Sequence, residues 1–588
     1  MRFKRSILTL LLAITMALAA CGQGDAANGG DDDVADAPAA VAVDGAAADA
    51  DIAVAAVERE FYRFHMWYGY SWYVPDPWGQ CIITRHWGDM FNIYMEQSSP
   101  DANEMEMLML MVTAGDLPDA IWMDRNVQNM AIARMGLFVP IDDMKAMVDN
   151  TWYDDNILPQ TQQLFQIDGV NYIIPNWARQ GVIGPMGEAP GGNNAWMFTT
   201  NIHEAVGSPE LRTFEDLFEY AIAVRDAGLT NATGAPVIPM VTNDGASFGM
   251  TFVNSIYRSM GGVVDGWWFS ILPDGTYGSN FRNPIWRDAA LEANRWFREG
   301  LFPVTNMTNS YEEFQATLNT GRAGLIFYCH GQDDINGFRR ILRESDPGNS
   351  IELVIIYEDG VPHLYPPARG LHLSRIYHEH QNTLGWNGTH ITTSAEKPER
   401  IFEFITWLLT PMGSIEMMYG PRGYEWEELD ANGFPIMLRP PATLSVAEIT
   451  ELGVWRWALA GHANHVDNTK FAVNNAMPPE HQVWVELMQY TYFTPFRRLT
   501  DEFVLIPVSI EPGTDLAIRR QQMEDHFREM MPQVIMANSA EEAEALLDSI
   551  LAFAEAIGLE EVEAVYNSRW EYNVALQGGS IFRLPGSN

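Results

Sequence analysis

Lysine is the scarcest charged residue in this 588-residue sequence. Only four of its 36 basic residues are lysines, whereas Asp and Glu number 77, and the formal net charge is −41 at pH 7. Because a surface this acidic repels phosphate backbones, we expect no nucleic-acid partner. The sequence also lacks a GxxxxGK loop, so it has no P-loop for a nucleotide phosphate.

Cysteine is rare as well, with three residues in the whole chain. Cys81 and Cys329 could form a disulfide or stay buried and reduced, and the sequence leaves both alternatives open. The third, Cys21, follows small residues that end a basic and then apolar segment. Residues 1–20 therefore have the pattern of a secretory signal peptide, whose apolar part is too short to span a bilayer.

Beyond residue 20, no uncharged run reaches the length that a membrane helix requires. Residues 22–57 contain eight Asp among Ala and Gly, and no Lys, Arg or aromatic residue. Such a segment cannot bury enough apolar surface to offset its ordering entropy, so we expect a disordered tether reaching roughly 30 Å. The remainder, from about residue 58, exceeds the roughly 250–300 residues at which single cores stop growing. We therefore expect two lobes.

The most informative stretch is residues 104–124. Its apolar residues recur at spacings of three and four, which predicts a helix; they are Met105, Leu108, Met109 and Val112. Gly115 and Pro118 then end the helix. Residues 120–123 form a short apolar run between turn residues, which predicts a buried strand. This order indicates an α/β fold and no particular function.

Other segments carry clear local signals. Residues 61–68 predict the first strand, and residues 69–87, rich in Trp, Pro and Gly, predict a loop. Apolar residues alternate on both sides of Asp168-Gly169, which predicts a two-residue hairpin turn. The sequence also predicts a helix with Pro398 in its first turn. Capping boxes predict the starts of two more helices; the boxes are Thr213 with Asp216 and Ser539 with Glu542.

Several of these segments also carry a resemblance. Residues 114–119 (AGDLPD), followed by residues 133–142 (ARMGLFVPID), resemble a motif of the extracellular solute-binding proteins of carbohydrate ABC transporters. Residues 165–175, 391–410 and 419–435 resemble later segments of the larger oligosaccharide-binding branch of that family, although Pro421-Arg422 replaces its usual Ile-Glu. The resemblance implies a two-lobed periplasmic-binding-protein type II fold of the α/β class, with hinge crossovers and extra C-terminal helices.

The same resemblance suggests a division of the chain. Residues 1–20 would be the signal peptide, and Cys21 resembles the lipobox cysteine of bacterial lipoproteins, which carries a lipid. Residues 21–57 would then be the lipidated cysteine and its acidic tether. Lobe one would comprise residues 58–178 with about 385–415, and lobe two about 179–384 with 416–588.

A sugar site requires aromatic platforms and planar hydrogen-bonding groups, because sugar rings present CH faces edged with hydroxyls. Ligands of open α/β folds bind beyond the carboxyl ends of strands, and two-lobed binders close around their crossovers. This rule selects eight candidates: Trp67, Asp124, Arg125, Trp177, Trp196, Tyr328, His330 and Trp386. Aromatic packing and a surface salt bridge between Asp124 and Arg125 would explain the same residues without a ligand. Arg125, Arg179 and Arg422 could grip a uronate carboxylate.

Other functions fit parts of the sequence. A lipid-anchored glycoside hydrolase would need two carboxylates roughly 5–10 Å apart. A metal-binding lipoprotein would use the His372, His378 and His380 group, or His462 with His465, and a peptide is a further alternative cargo. We predict instead a monomeric, non-enzymatic receptor without cofactor or resident metal. It would capture an oligosaccharide, which could contain uronate, at the outer face of the cell membrane and deliver it to an ABC permease.

Overall fold

The computed structural model describes most of the chain beyond residue 58. The described residues are 59–71, 73, 76–101, 103–179, 195–211, 214–243, 247–260, 262, 268–328, 332–354, 379–381, 384–454, 459–483, 497–499 and 501–579. Helices and strands alternate along them, which confirms the α/β class. The predicted signal peptide, Cys21 and the tether lie outside the described residues.

The chain divides into two compact units. The first unit comprises residues 1–190 and 382–490, and the second comprises residues 191–381 and 491–588. Residues 416–490 therefore belong to the first unit, whereas the sequence placed them in lobe two. One physical reason is the buried Glu416, whose carboxylate accepts a hydrogen bond from the indole of Trp87 at 2.9 Å and so ties this segment to the first unit.

The elements run in chain order through both units. The first segment of the first unit contains β1 (Tyr62–Tyr68), α1 (Ile82–Phe91), β2 (Ile93–Ser98), α2 (Glu104–Ala114), β3 (Ala120–Asp124), α3 (Val127–Arg134), α4 (Ile141–Lys145), α5 (Trp152–Asn156), α6 (Pro159–Leu164) and β4 (Ile174–Ala178). The first segment of the second unit contains β5 (Ala195–Thr199), α7 (Thr200–Ala205), α8 (Phe214–Ala227), β6 (Ile238–Thr242), α9 (Met250–Ser259), β7 (Phe269–Ile271), β8 (Tyr277–Ser279), α10 (Pro284–Arg298), α11 (Tyr311–Asn319), β9 (Ala323–Tyr328), α12 (Gln332–Ser345), β10 (Ile351–Leu353) and β11 (Glu379–Gln381).

The chain then returns to each unit once more. The first unit is completed by β12 (Asn387–Ile391), α13 (Pro398–Trp407), α14 (Pro411–Tyr419), β13 (Trp426–Leu429), β14 (Pro435–Met437), α15 (Val446–Leu452), β15 (Gly461–His462) and α16 (Ala463–Asn475). The second unit is completed by β16 (Arg497–Leu499), α17 (Asp515–Met536), α18 (Ala540–Ala556) and α19 (Leu559–Leu576).

A six-stranded sheet forms the centre of the first unit, in the order β15-β4-β12-β3-β1-β2. Strand β1 pairs in parallel with β2 and β3, whereas β12 runs antiparallel to both β3 and β4. One face of this sheet packs on α2 and α3 through an apolar cluster that includes Trp67, Ile121 and Met123.

The second unit has a four-stranded sheet in the order β10-β5-β9-β6. A large apolar core surrounds it, to which α9, α10 and the C-terminal helices α17 to α19 all contribute. Its aromatic centre is Trp296, which is fully buried and lies 5.4–5.6 Å from the rings of Phe214, Phe218 and Phe252. The extra C-terminal helices therefore belong to a core and are not an appendage.

Most of the predicted elements are confirmed. Strand β1 and the buried strand β3 lie where the sequence places them, and α2 ends at Gly115 with a positive φ of 68°. Helix α13 begins at Pro398 and buries Ile401, Phe404 and Ile405. The hydroxyl of Ser539 accepts from the backbone of Glu542, as predicted, but the Glu542 carboxylate accepts from the backbone of Asn538.

Two predictions are wrong in part. Residues 69–87 are not loop throughout, because α1 begins at Ile82 and buries Ile83 and Trp87. Asp168 and Gly169 do form the turn, with φ values of 51° and 84°, but only Ile167 and Val170 pair across it. Helix α6 occupies the residues before this turn, so the chain there cannot extend as a strand. Thr213 of the other predicted capping box lies outside the described residues.

Cys81 is buried and free, and its sulfur lies 3.1 Å from the hydroxyl of Thr84. Cys329 falls outside the described residues. Within the part of the chain that the structure describes, the helices are too short or too polar to cross a membrane.

Candidate functional site

Three polar residues form a row across the first unit's sheet. Asn387 of β12 lies directly opposite Asn176 of β4 on one side and Asp124 of β3 on the other. Because residues opposite each other in paired strands share one face of the sheet, the three side chains project on the same side. We call Asn176, Asn387 and Asp124 the polar row.

Tyr70 connects two members of the polar row. The side-chain amide of Asn387 donates to the Tyr70 hydroxyl at 2.8 Å, and that hydroxyl donates to the Asp124 carboxylate at 2.8 Å. The first bond joins residues 317 positions apart in the sequence, and the second joins residues 54 positions apart. They hold the carboxylate of Asp124 in a fixed orientation at the end of β3.

Other polar atoms at this face have no hydrogen-bond partner in the described part of the chain. The side-chain oxygen and nitrogen of Asn176, the side-chain oxygen of Asn387 and the indole nitrogen of Trp122 are buried without a hydrogen bond to the described residues. Leaving a buried donor or acceptor unsatisfied costs about 1–3 kcal/mol. Native structures retain few such groups, so several at one face indicate a place where another molecule supplies the partners.

Aromatic rings surround the row. The ring of Trp122 lies 4.9 Å from Tyr70, 5.6 Å from Tyr73, 5.5 Å from Trp386 and 5.7 Å from Tyr68. Trp386 is 46% exposed, which is unusual for so large an apolar side chain. Its ring provides a flat surface beside the hydrogen-bonding groups of the polar row.

Close backbone packing positions Trp386. Gly385 has a φ of 71°, and a Cβ there would overlap the carbonyl oxygen of Asn176 and approach the backbone of Trp177 within 2.7–2.8 Å. Trp177 itself has a φ of 59°, a left-handed conformation that costs a bulky residue of the order of 1–3 kcal/mol. The segment before β12 is thereby pressed against β4, next to Asn176.

Two arginines near this face bind groups of the protein itself. Arg125 donates to the carbonyl oxygens of Leu384 at 3.0 Å and Gly385 at 2.5 Å. Arg179, which is 5% exposed, pairs with Asp467 at 3.1 Å. Both guanidinium groups therefore hold the first unit together.

The electrostatics of the site follow from burial. Removal of water raises the pKa of Asp124 above its usual range, opposed by the bond from Tyr70 and the charge of Arg125. Burial, reinforced by the charge of Asp124, raises the pKa of Tyr70, so its hydroxyl keeps its proton and acts as a donor. A second carboxylate adjoins the cluster, because Ser71 donates to Glu104 through its hydroxyl at 2.5 Å and its backbone N–H at 3.0 Å.

The structure brings some of the predicted site residues together. Asp124, Arg125 and Trp386 are joined through Tyr70 and the backbone of residues 384–387, and Trp177 lies half-buried in β4 beside them.

Two others are core residues. Trp67 lies within β1 and not after it, and Trp196 lies within β5 of the second unit; each is only 3% exposed. Trp67 packs in the cluster with Ile121, and Trp196 contacts Phe327 at 5.0 Å between ring centres. Tyr328 ends β9 but its side chain is outside the described part, as is the whole of His330.

Some of the proposed metal ligands lie outside the described residues, and others are visible in the structure. His372 and His378 fall outside the described residues. His462 is buried and His465 is half-buried, with their rings 4.6 Å apart, and loss of contact with water lowers the pKa of each, that of His465 to about 4. Nδ1 and Nε2 of His462 have no partner among the residues that the structure describes, while Nε2 of His465 lies 2.9 Å from the side-chain oxygen of Asn156. Among the described residues, no group of three or more His, Cys, Asp or Glu is placed to hold a metal ion.

Sequence reasoning missed four residues of the site: Tyr70, Trp122, Asn176 and Asn387. Asn176 lies in an apolar strand, Ile-Pro-Asn-Trp-Ala, where a polar residue has to find a buried partner. That position carried the available signal. Its pairing with Asn387 depends on sheet order, which local patterns do not reveal.

Comparison with known proteins supports the fold. No protein-family model and no curated protein matches this chain significantly. Among solved structures, it is similar to the ABC-transporter substrate-binding protein FusA of S. pneumoniae in complex with kestose, with a TM-score of 0.59, 16% identity and coverage of 87% of this chain and 99% of that one. A solute-binding protein from Bifidobacterium longum infantis, described as binding HMO, gives a TM-score of 0.60, 12% identity and coverage of 89% and 100%.

A third similar structure is the alginate-binding protein AlgQ2, with a TM-score of 0.56, 13% identity and coverage of 87% of this chain and 98% of that one. The chain therefore has the fold of ABC-transporter substrate-binding proteins, as its sequence motifs predict. At these identities the similarity establishes the fold, and the ligand has to be argued from the chain's own residues.

Proposed function

We propose that this chain is the substrate-binding component of an ABC importer and captures an oligosaccharide outside the cell. It performs no catalysis, is anchored through a lipid on Cys21 and delivers its cargo to a separate permease. Capture between two lobes would shift a hinge equilibrium towards a closed form that the permease recognises. The fold and the sequence motifs support this proposal.

One observation carries the carbohydrate assignment. The exposed ring of Trp386 lies beside buried hydrogen-bonding groups that have no partner among the described residues, namely those of Trp122, Asn176 and Asn387. Such groups match a ligand with an apolar CH face and hydroxyls at its edge, because each hydroxyl both donates and accepts. A sugar ring has this combination, whereas an apolar ligand would leave the amide groups unsatisfied.

A thermal-shift screen of the mature chain tests the assignment. The panel contains neutral and uronate oligosaccharides, together with zinc and peptides as alternative ligands. A ligand that binds only the folded state at 100 times its Kd should stabilise it by about 2.7 kcal/mol, and Tm should rise with the logarithm of its concentration. A selective response to glycans supports the proposal; a response only to zinc or a peptide would refute it.

A glycoside hydrolase is the second candidate, and one observation favours it. Burial raises the pKa of Asp124, whereas hydrogen bonds from Ser71 lower that of Glu104, and two carboxylates with separated pKa values are a common acid and nucleophile pair. Incubating the purified chain with each glycan that binds, and measuring new reducing ends, separates the two functions. Turnover that disappears in Asp124→Asn would establish the hydrolase.

A further inference from the structure

The charge around the polar row indicates which saccharides it accepts. Asp124 ends β3 with its carboxylate oriented by Tyr70, and the Glu104 carboxylate is bonded to Ser71, the residue after Tyr70. The unpartnered atoms of Trp122, Asn176 and Asn387 are neutral donors and acceptors. A ligand that meets this face thus encounters amide and indole groups and negative charge.

Two arginines of the described residues lie near the polar row, and both are engaged in other bonds. Arg125 contributes Nη1 to the carbonyls of Leu384 and Asn387 and Nη2 to that of Gly385. Its guanidinium also lies 5.7 Å from the centre of the Phe165 ring. Releasing it towards a ligand would cost these backbone bonds and the packing of the segment that carries Trp386.

The bond that holds Arg179 would cost more free energy to break. It is 5% exposed and forms an ion pair with Asp467, a residue of α16, at 3.1 Å. Withdrawing one partner from a buried ion pair leaves the other charge uncompensated, at a cost of about 3–5 kcal/mol. A uronate carboxylate could not recruit this arginine without that cost.

From these contacts we infer that the polar row selects neutral saccharides over uronates, and that Asp124 is the residue that rejects a carboxylate. The inference rests on the proposed carbohydrate function and makes it narrower. Several neutral hydroxyls can each donate one hydrogen bond, to Asp124 or to the amide oxygen of Asn176 or Asn387. A carboxylate in the place of one of them can only accept, so it would be repelled by Asp124 and could not donate to either amide oxygen.

The test compares two forms of one ligand on the mature chain by isothermal titration calorimetry. The first is the oligosaccharide that gives the largest thermal shift in the panel. The second is the same oligosaccharide with its primary hydroxyls oxidised to carboxylates. If the best ligand is a uronate, the second form is instead that ligand with its carboxylates reduced to primary hydroxyls. We expect the neutral form to bind at least about tenfold more tightly, and the ratio to fall at high salt, which screens the repulsion.

Two variants test whether Asp124 causes the selectivity for the neutral form. Asp124→Asn should reduce the ratio of neutral to uronate affinity by about tenfold, whatever its effect on either affinity alone. Asp119→Asn is the matched control, because Asp119 precedes the other end of β3 and binds the backbone of His65 at 2.6 Å; it should leave the ratio unchanged.

The outcomes separate the inference from the function on which it rests. A uronate that binds as tightly as its neutral form, or an unchanged ratio in Asp124→Asn, overturns the selectivity and leaves an oligosaccharide receptor. The absence of binding by any glycan overturns both.

Discussion

Buried tryptophans of the two units differ in the hydrogen bonding of their indole N–H groups. In the second unit, Trp286, Trp296 and Trp570 are fully buried, and each indole N–H donates, to Asn254, Glu292 and Glu502 respectively, at 2.8–3.2 Å. In the first unit, Trp122 is 4% exposed and its indole nitrogen has no partner among the described residues.

The difference is local and does not extend to the whole first unit. Trp87 and Trp426, also in that unit, donate to Glu416 and to the carbonyl of Gly420 at 2.9 Å. Four buried side-chain atoms without a partner among the described residues lie at one end of this sheet, beside an exposed aromatic ring, whereas others, such as those of Thr242 and Asn573, lie singly in the second unit. A core bonds most of its polar atoms internally, whereas a group of such atoms beside an exposed ring indicates a face where a ligand can supply the partners.

Trp296→Ala should produce the largest effect and test the core side of the contrast. Removing a fully buried ring that packs on three phenylalanines should lower the free energy of unfolding of the second unit by about 3–5 kcal/mol. Denaturant titration measures this loss. Glycan affinity of the molecules that remain folded should not change, and a specific loss of affinity would show that the ring has a ligand role.

Acidification should have the second largest effect, which is a loss of stability of the first unit. His390 is buried, stacks on Phe138, and bonds Asn129 and the carbonyl of Tyr172; burial lowers its pKa from 6.5 to about 4. A folded-state pKa below the unfolded value gives stability that is complete above pH 6.5 and is lost progressively as the pH falls from 6.5 through 4. The loss would approach roughly 3 kcal/mol.

Amide hydrogen exchange can measure this loss where it should occur. Protection of β12 should fall between pH 7 and pH 4.5, once corrected for the intrinsic rate, by more than that of β9 in the second unit. His390→Gln is the control and should flatten the dependence. Equal slopes in β12 and β9 would argue against His390 as the cause.

Trp386→Ala should separate binding from stability. Because the ring is 46% exposed, its loss should change the free energy of unfolding by only about 0.5 kcal/mol. Loss of a stacking platform should weaken glycan binding by about 2 kcal/mol, or roughly 30-fold. Tyr572→Ala is the matched control, since Tyr572 is 45% exposed on α19 of the second unit; equal affinities of the two variants would refute the platform.

Asn176→Leu should have the smallest effect on the free energy of unfolding, and this effect should be a stabilisation instead of a loss. An apolar side chain of similar size removes two unsatisfied buried polar atoms, so unfolding should require the same free energy or about 1 kcal/mol more. Binding of the glycan should be lost at the same time. If the variant is instead destabilised by more than about 1 kcal/mol, Asn176 is bonded in the free protein, for example through a buried water.

Local patterns predicted the local parts of the fold. The helix before Gly115, the strand of residues 120–124 and the helix beginning at Pro398 each depend on neighbours within about a dozen positions, and all three are confirmed. Region 69–87 was harder, because its Trp, Pro and Gly content concealed the start of α1.

The site was predicted less completely for a physical reason. Trp386, Asp124 and Arg125 follow from the rule about strand ends, but Trp67 and Trp196 satisfy a similar pattern and are core residues. Nothing local distinguishes an indole that faces a core from one beside a ligand. The distinction depends on Asn387 lying between β3 and β4, which is a property of the whole sheet.

The close approach at Gly385 has a consequence for a saturation mutational scan. At position 385, any side chain would overlap the backbone of Asn176, so variants should be depleted even when the cells are selected only for abundance of the protein. At position 386, most variants should pass that selection and disappear only when growth requires the transported sugar. Two consecutive codons would thus separate selection for folding from selection for uptake.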